Sequence, residues 1–231
     1  MDISQKILLN LKIGNFNVAL SNTFLASCIS ALLFIIIAIV LGMSAKRGKP
    51  KKLAYIAEMI YELLNNFVKG ILGEKGKSYA PFIGALFGYI MFSNLLGLLS
   101  PLGIPGLTAP TTDLSVTASF AIIGIIYVHS ISIYLRGGLN YIKHFFKPSF
   151  FMFPINLIEE IVKPVSLTVR LFGNLFGEHV VYEITFALIS FGIPVLIMAL
   201  GLFTGLIQAY VFSMLVMVYL SELLELNEGG K

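Results

Sequence analysis

The run ITFALISFGIPVLIMALGLFTGLIQAYVFSMLVMVYLS, from Ile184 to Ser221, contains 38 residues and no charged side chain. As one straight helix it would be about 57 Å long, whereas the hydrocarbon core of a bilayer is about 30 Å thick. Gly192 and Pro194 provide a break near its start. The run therefore predicts a helical hairpin whose two long arms lie tilted in a membrane.

The composition of the whole chain excludes an ordinary soluble protein. Of its 231 residues, 57% are hydrophobic and 12% are charged, and the mean hydropathy is +0.90. A soluble domain carries about 25% charged residues. The net charge of +4 does not predict nucleic-acid binding, because the basic residues form short clusters beside apolar segments. Cys28 is the single cysteine, so neither a disulfide within the chain nor a thiolate metal site is predicted, and no cofactor is expected.

The apolar segments predict an all-α integral membrane protein with a single membrane domain over residues 1–231. A spanning helix needs about 20 apolar residues, and five segments meet this requirement. The predicted spans are about 20–43, 81–100, 114–135, 155–190 and 194–222. Between the first two, apolar residues recur every three or four positions over about 52–72, which predicts an amphipathic helix along the inner membrane surface. A solvent-exposed linker helix is the alternative for that segment.

The distribution of lysine and arginine predicts the orientation of the chain. Five spans place the termini on opposite sides, and basic residues concentrate in loops that face the cytoplasm. With the N-terminus outside, the inner loops hold the basic residues of 46–77 and 136–147, whereas the outer side holds only Lys6 and Lys12. The prediction is therefore an N-terminus outside and a C-terminus in the cytoplasm.

The fourth predicted span carries a polar stripe. Its members follow one another at steps of three or four residues, which places them on one face of a helix. They are Asn156, Glu159 or Glu160, Lys163, Ser166, Arg170, Asn174 and Glu178. Polar side chains at this density do not face lipid, so the stripe is expected to face protein or water.

Arg170 lies in the middle of this stripe, about 22 Å from the inner end of the helix. A guanidinium stays charged, and no acidic residue lies one turn away on the same helix. A carboxylate from another subunit is the expected partner, with Leu167, Leu171 and Phe172 forming an apolar seal around the contact. Gln208 in the last span is expected at the same depth. Two alternatives remain: the stripe only joins helices, or the arginine extends to the membrane surface.

The polar stripe overlaps a motif that resembles a known family. The segment Lys163-Pro-Val-Ser-Leu-Thr-Val-Arg-Leu-Phe-Gly-Asn174 is similar to the signature of the a subunit of F-type ATP synthases, the membrane stator that faces the rotor ring. Further stretches match patterns of the same family in the expected order: 110–117 (PTTDLSVT), 154–160 (PINLIEE), 207–212 (IQAYVF) and 218–221 (VYLS). The resemblance covers most of the chain from the amphipathic helix onward.

The resemblance implies a function in ATP synthesis. Such a subunit conducts H⁺ or Na⁺ through two offset half-channels to and from carboxylates of the rotor ring, and so couples ion flow to ring rotation. Arg170 matches the family's essential arginine, which attracts each carboxylate and blocks a direct ion leak. Asn174 and Gln208 match its polar neighbours, and Glu160 matches an acid of the inner half-channel.

The other candidates for the ion pathway are less closely matched. The inner group includes Asn156, Glu159, Lys163 and Ser166, and the outer group includes Glu178 and His179. Some family members carry a glutamate nine residues after the arginine and a histidine seven residues before the glutamine, where this chain has His179 and Gly201. His179 is therefore the preferred proton-handling residue of the outer half-channel, with Glu178 and Glu183 as alternatives.

The resemblance also implies partners and a location. The partners are the rotor ring of c subunits, the peripheral-stalk b subunits, other ATP synthase subunits and membrane lipid. The location is the cytoplasmic (inner) membrane of a bacterium. Since the chain has no phosphate-binding loop, it is expected to be a non-catalytic, ion-translocating subunit without a nucleotide site of its own.

Two rival classes fit the sequence less well. A secondary transporter also places charged side chains in the membrane, but no internal repeat is found here. An intramembrane enzyme would need a motif such as His-Glu-x-x-His or Gly-x-Ser-x-Gly, and neither is present. Outside the stripe, His129 is expected to be a hydrogen-bonding group between helices, and Glu222 to lie at a solvated helix end.

Overall fold

The computed structural model describes residues 7–13, 16–47, 51–99, 110–138, 141, 151, 153–189 and 192–228. Six α-helices are described within these residues, and they are numbered here in chain order. They are α1 (Asn22–Arg47), α2 (Lys51–Leu72), α3 (Ala80–Leu99), α4 (Leu114–Arg136), α5 (Phe153–Leu188) and α6 (Ile193–Glu228). The helix bounds lie within a few residues of the predicted segments, except that α6 continues beyond the predicted end of the last span.

Four of these helices are long and apolar enough to cross a membrane. Among the described residues, the candidate spans are Ala26–Lys46, Gly76–Gly97, Leu114–Leu135 and Ile193–Leu224. The prediction of an all-α membrane protein is confirmed. Helix α5 has 36 residues, about 54 Å if straight, but its charged residues keep it outside this group, so its crossing of the membrane stays a prediction.

A short β-hairpin precedes α1, and the sequence did not predict it. Strand β1 (Ile7–Ile13) pairs antiparallel with β2 (Phe16–Ser21), and the register is irregular between Ile7 and Leu9. The hairpin leads directly into α1, which begins at Asn22.

The break between α5 and α6 lies where the glycine and proline predicted it. Helix α5 ends at Leu188, and Gly192 adopts a φ of 88°, which a residue with a side chain rarely adopts. Pro194 lies in the first turn of α6, where its missing N–H costs no helical hydrogen bond. The two 36-residue helices then return antiparallel against each other.

The core lies where α5 and α6 pack against α3 and α4. Helix α5 contributes Leu167 and Leu171, which are 1% and 0% exposed, and α6 contributes Phe212 and Val216. In contrast, α1 exposes many apolar side chains, including Leu32 at 60%. In a membrane protein such a face is satisfied by lipid, because lipid tails are as apolar as the side chains.

Helix α2 is amphipathic, as predicted from its spacing. Its buried residues Ala54 and Val68 face the other helices, whereas Glu58 and Glu62 are exposed. A 3₁₀ helix (Glu74–Tyr79) follows, and the Glu74 carboxylate pairs with Lys69 and Lys77. Hydrogen bonds from these two lysines lower the pKa of Glu74 from 4.5 to about 2. The position of α2 along the membrane surface stays a prediction.

Asp113 caps the N-terminus of α4. It precedes the helix with extended backbone, and its Oδ1 accepts a hydrogen bond of 2.9 Å from the backbone N–H of Ser115. This cap fixes the start of α4 next to the 3₁₀ helix Pro110–Thr112, and with it the position of Thr111.

Candidate functional site

Helices α5 and α6 join polar side chains across their interface. Asn174 Nδ2 donates to Gln208 Oε1 at 2.7 Å, and Thr204 Oγ1 donates to Glu178 Oε2 at 2.9 Å. Glu178 lies one turn after Asn174 on α5, while Thr204 lies one turn before Gln208 on α6. The two bonds therefore form successive rungs of an antiparallel pair of helices. Gln208 was expected at the depth of Arg170, and its partner on α5 is Asn174, one turn further along.

Gly201 makes room for the Glu178 carboxylate. A Cβ atom at Gly201 would overlap the carboxyl group of Glu178, so a residue with a side chain cannot occupy this position unless Glu178 moves. The unusual glycine and the neighbouring glutamate of this sequence are thus explained together: the carboxylate of one residue fills the space left by the other. Gly205, one turn further along α6, lies against Asn94.

Asn94 extends this polar group to α3. It is 6% exposed, and its Nδ2 donates to the backbone carbonyl of Gly205 at 3.0 Å. Its Oδ1 accepts a hydrogen bond of 2.7 Å from the buried Thr111 hydroxyl. Neither residue was predicted from the sequence. For Asn94 the signal was an amide inside an apolar span, which marks polar contacts between membrane helices.

Gln208 is buried, with 4% of its surface exposed. Its Oε1 is occupied by Asn174, but its Nε2 has no hydrogen-bond partner among the described residues. A buried amide donor without a partner costs free energy unless water or another polar group reaches it. The position is therefore suited to an aqueous path or to a group from outside the chain.

Arg170 lies on α5 one turn before Asn174 and is exposed. Its guanidinium makes no ion pair with any carboxylate in the described part of the chain. Within the chain it lies in electrostatic range of Tyr219. Among the described residues Arg170 therefore has no acid of its own, while its depth in the membrane stays a prediction.

The predicted apolar seal around Arg170 is wrong for two of its three residues. Leu167 and Leu171 are buried in the chain's own core, because this face of α5 packs against α4 and α6. They cannot contact another subunit. The exposed residues beside Arg170 are Val169, which is 58% exposed, and Gly173, whose Cβ would meet nothing within 4 Å.

Lys163 lies towards the other end of the α5–α6 pair from Glu178, and three acidic residues surround it. Its Nζ lies 3.1 Å from Glu160 Oε1 and 3.2 Å from Glu222 Oε2. Glu159 lies further away at 3.8 Å. Lys163 is buried, and its ammonium also lies 5.4 Å from the centroid of the Tyr219 ring. Glu159, Glu160 and Lys163 of the inner candidates therefore form a charged cluster, whereas the contacts of Asn174 and Gln208 adjoin a single carboxylate, that of Glu178.

Two residues outside the predicted stripe join the inner cluster. Glu222 pairs with Lys163 while its side chain stays 45% exposed, so it is solvated, as predicted, and also joins the cluster. His129 of α4 places its Nε2 3.5 Å from Glu160 Oε2 and its Nδ1 2.7 Å from the Tyr141 hydroxyl. His129 does join helices, as expected, but its partner is a residue of the candidate pathway.

The remaining candidates are not brought together with these groups to the same degree. His179 pairs with Glu183 one turn along α5 at 3.3 Å, and both side chains are at least 40% exposed. Neither has a hydrogen bond to Thr204 or Gln208 in the described structure. Asn156 and Ser166 are half-buried on α5. Within the described residues, no group of three His, Cys, Asp or Glu side chains could hold a metal ion.

These features define a class of protein. The chain is a multi-pass helical membrane protein with two polar groups at different positions along one helix pair. Between them lies an exposed arginine that pairs with none of the described carboxylates. The family model described as "ATP synthase A chain" matches residues 24–221. The chain belongs to this family. Membership supports a stator role in the membrane sector of an ATP synthase, with other ATP synthase subunits as partners.

Similar proteins share most of their length with this chain. It is 45% identical over 172 residues to an ATP synthase subunit a of Moorella thermoacetica, covering 74% of this chain and 77% of that protein. It is 37% identical over 202 residues to one of Syntrophobacter fumaroxidans, with 83% and 82% covered. It is 35% identical over 195 residues to one of Geobacter sulfurreducens, again with 83% and 82% covered. The resemblance noted from the sequence motifs is confirmed.

Proposed function

We propose that this chain is the stator a subunit of an F-type ATP synthase and conducts H⁺ or Na⁺ through two offset half-channels. The ions pass to and from carboxylates on a rotor ring, and their flow drives ring rotation and ATP synthesis. The observation that carries the proposal is Arg170: an exposed cation, unpaired with any described carboxylate, between two separate polar groups of one helix pair.

The position of Arg170 suits it to interact with a carboxylate that comes and goes. A charge held within a membrane costs several kcal/mol on insertion scales, so a partner or water must compensate for it. A permanently buried ion pair would hold the rotor in place, whereas the exposed guanidinium can attract an ionised carboxylate and release it once that group takes up its next ion. The same fixed charge repels free cations and so opposes a direct leak.

The two polar groups support two separate paths. Lys163 lies 15 residues before Glu178, so the groups are about 22 Å apart along α5. Arg170 lies between them. An ion that moves directly along α5 from one group to the other must pass Arg170. The other route is transport on a carboxylate of the rotating ring. Each elementary charge moved releases about 2.3 kcal/mol per 100 mV of membrane potential, so several charges per turn can drive ATP formation by catalytic subunits.

For the outer path, Glu178 is better placed than His179. The Glu178 carboxylate lies in the α5–α6 interface on Thr204, next to the Asn174–Gln208 bond. The His179 ring instead pairs with Glu183 on a more exposed surface. We therefore propose Glu178 as the proton-handling residue of the outer half-channel, in place of the preference for His179 that the sequence suggested.

The partners and orientation follow from the same proposal. The exposed face of α5 that holds Arg170, Val169 and Gly173 would contact the ring of c subunits. Peripheral-stalk b subunits and lipid would cover other exposed surfaces, such as α1. The positive charges of residues 46–77 support an N-terminus outside and a C-terminus in the cytoplasm, in the cytoplasmic membrane of a bacterium, with five spans that include α5.

Labelling from the two sides of the membrane tests the two paths. Cys28 is exposed, so it is first replaced by alanine. Single cysteines then replace Ser166 for the inner path and Thr204 for the outer path, in vesicles that hold the whole synthase. We expect water-soluble thiol reagents to reach the two positions from opposite sides and to block ion-driven ATP synthesis in each case.

The control for this test is a cysteine in place of Leu171, which is 0% exposed within the chain and should react from neither side. If the inner and outer cysteines reacted from one side only, the proposal of two half-channels would be wrong. If both reacted as expected but without effect on ATP synthesis, water would reach both sites while the proposed function would fail.

A further inference from the structure

The cation at the inner end of the helix pair is enclosed by acids from two helices. The Lys163 side chain is only 9% exposed, and its Nζ bridges Glu160 of α5 and Glu222 of α6 at 3.1 and 3.2 Å. The two carboxylates lie 62 residues apart in the sequence. They meet at one ammonium because the α5–α6 hairpin brings them there.

Burying this ammonium has a cost that helix packing alone does not require. Removing a charge from water costs several kcal/mol, and apolar residues of similar volume often pack a helix interface as well or better. A methionine could fill the same space. What Lys163 adds is the fixed position of the two carboxylates, and Glu160 is held most firmly, with 19% of its side chain exposed against 45% for Glu222.

Among the described residues, the cluster holds more carboxylates than cations. One ammonium faces Glu160 and Glu222 closely and Glu159 at 3.8 Å. His129 lies on the other side of Glu160, with its other ring nitrogen on Tyr141. The Glu222 side chain is 45% exposed, so it connects the enclosed part of the cluster with water.

The cluster also lies close to the essential cation of the proposed mechanism. Arg170 is seven residues beyond Lys163, about 10 Å along the helix. The Tyr219 ring lies beside the cluster, with its centroid 5.4 Å from the Lys163 ammonium, and Tyr219 also interacts electrostatically with Arg170. The cluster is thus placed to exchange ions with a carboxylate that Arg170 has attracted.

We propose that Lys163 is a positioning residue of the inner half-channel and that Glu222 is the second ion-handling acid there, held beside Glu160. This inference rests on the proposed function. It assigns Glu222 of α6 the part that the sequence stripe gave to Glu159, whose side chain is 56% exposed and lies further from the ammonium. Ions would reach Glu160 from the inner water through Glu222.

The test uses vesicles that hold the whole synthase, with the amount of assembled complex measured for each variant. ATP-driven H⁺ or Na⁺ pumping is recorded while the pH on the inner side is varied. The variants are Glu222→Gln, Glu159→Gln, Lys163→Met, Lys163→Arg and the pair Lys163→Met with Glu222→Gln. Glu62→Gln, which alters an exposed acid of α2 outside the site, is the matched control.

We expect Glu222→Gln and Lys163→Met each to lower the pumping rate about fivefold or more and to change its dependence on inner pH. The double variant should be no slower than Lys163→Met alone, because both changes disrupt one unit. Lys163→Arg should restore most of the rate and the pH profile, while Glu159→Gln should have a smaller effect and Glu62→Gln none.

The outcomes separate this inference from the proposed function. Arg170→Ala is assayed in the same preparation, and normal pumping by that variant would mean that the proposed function itself is wrong. If Arg170→Ala is inactive but Glu222→Gln pumps with an unchanged rate and pH profile, only the present inference is overturned. If the ion pairs of Lys163 only stabilise the helix pair, Lys163→Met should reduce assembly, and the complexes that remain should show a normal pH profile. That outcome would also overturn the present inference.

Discussion

Lys163 and Arg170 are two cations on the same helix, two turns apart, and they differ in burial and in ion pairing. Lys163 is buried and paired with carboxylates of its own chain. Arg170 is exposed, and none of the described carboxylates pairs with it. Both lie in a helix whose exposed neighbours are mainly apolar, such as Val165 and Val169. The two cations therefore differ in their burial and in whether a described residue of the chain supplies the anion.

This difference indicates what each cation does. An ion pair within one chain can stay closed throughout a catalytic cycle, so it suits a group that holds other residues in place. An unpaired cation in a membrane needs an anion from elsewhere, and an exposed position allows that anion to move past. The shape of the two side chains agrees with these roles: a lysine is a compact point charge, whereas an arginine presents a delocalised fork to a carboxylate.

The largest effect is expected from removing the unpaired cation. Arg170→Ala should abolish ion-driven ATP synthesis in membrane vesicles, because no other described cation lies on that exposed face. The complex should still assemble, since the core residues beside it, Leu167 and Leu171, are unchanged. Arg170→Lys should recover little activity, because a point charge does not reproduce the forked geometry. Near-normal synthesis by the alanine variant would remove the distinction between the two cations.

The next prediction concerns which face of α5 meets the rotor. Cysteines in place of Val169 or Gly173, paired with cysteines beside the ring carboxylate in a Cys28→Ala background, should form disulfide cross-links. The cross-links should stop coupled ATP hydrolysis, and reduction should restore it. A cysteine in place of Leu171 is the control and should form none, because that position is 0% exposed within the chain. Cross-linking from Leu171 and not from Val169 would show that the exposed face had been wrongly assigned.

A smaller effect is expected at the outer polar group. In Gly201→Ala the new methyl group overlaps the Glu178 carboxylate, so Glu178 must leave its hydrogen bond with Thr204. We expect ion-driven ATP synthesis to fall about tenfold, which corresponds to an activation free energy about 1.4 kcal/mol higher, because the displaced carboxylate leaves its place in the outer path. Gly42→Ala is the control, because its Cβ would meet nothing within 4 Å. Equal activity of the two variants would argue against Glu178 as the outer proton-handling residue.

The helices of this protein could be predicted because their signals are local. The length of each apolar run, the Gly192 break and the Asp113 cap all lie within a few residues of the element they determine. The motif from Lys163 to Asn174 was specific enough to identify the family. The β1–β2 hairpin was not predicted, because its strands of seven and six residues are much shorter than the apolar runs that indicate a membrane span.

The contacts of the candidate site could be predicted only in part. Arg170 and Gln208 were placed at one depth from their distances to the helix ends, and the structure joins Gln208 to Asn174, one turn beyond Arg170. The choice between Glu178 and His179 depends on a rotation of about 100° around α5, which spacing alone does not determine. The pairing of Lys163 with Glu222 spans 59 residues and depends on the register of the hairpin.

The burial of Leu167 and Leu171 shows a second limit of sequence patterns. Apolar residues flank Arg170 on both sides of the helix, because a membrane helix is apolar where it meets its own chain and where it meets lipid or a partner. The sequence therefore predicts that one flank contacts the rotor, but it does not indicate which. Packing against α4 and α6 decides it.

The smallest effect is expected at an exposed ion pair whose two partners belong to the same chain. It differs from Lys163, which is buried and paired, and from Arg170, which is exposed and pairs with none of the described carboxylates. Glu74 lies at the surface with Lys69 and Lys77, and hydrogen bonds from these lysines lower its pKa from 4.5 to about 2. Because the folded pKa is the lower one, the stabilisation is fully present above pH 4.5 and is lost as the pH falls towards about 2. Water screens exposed pairs, which contribute little.

Glu74→Gln should therefore lower the thermal unfolding temperature of the detergent-solubilised chain only slightly at pH 7, and ATP synthesis should not change. The difference from the unmodified chain should shrink as the pH approaches about 2, where Glu74 takes up its proton in the folded state as well. Glu58→Gln, at an exposed position of α2, is the matched control. A pH-independent difference would mean that the Glu74 side chain stabilises the fold by something other than its charge. A loss of synthesis would mean that the segment around Glu74 belongs to the ion path. In that case, an exposed charge that is paired within the chain could also have a functional role.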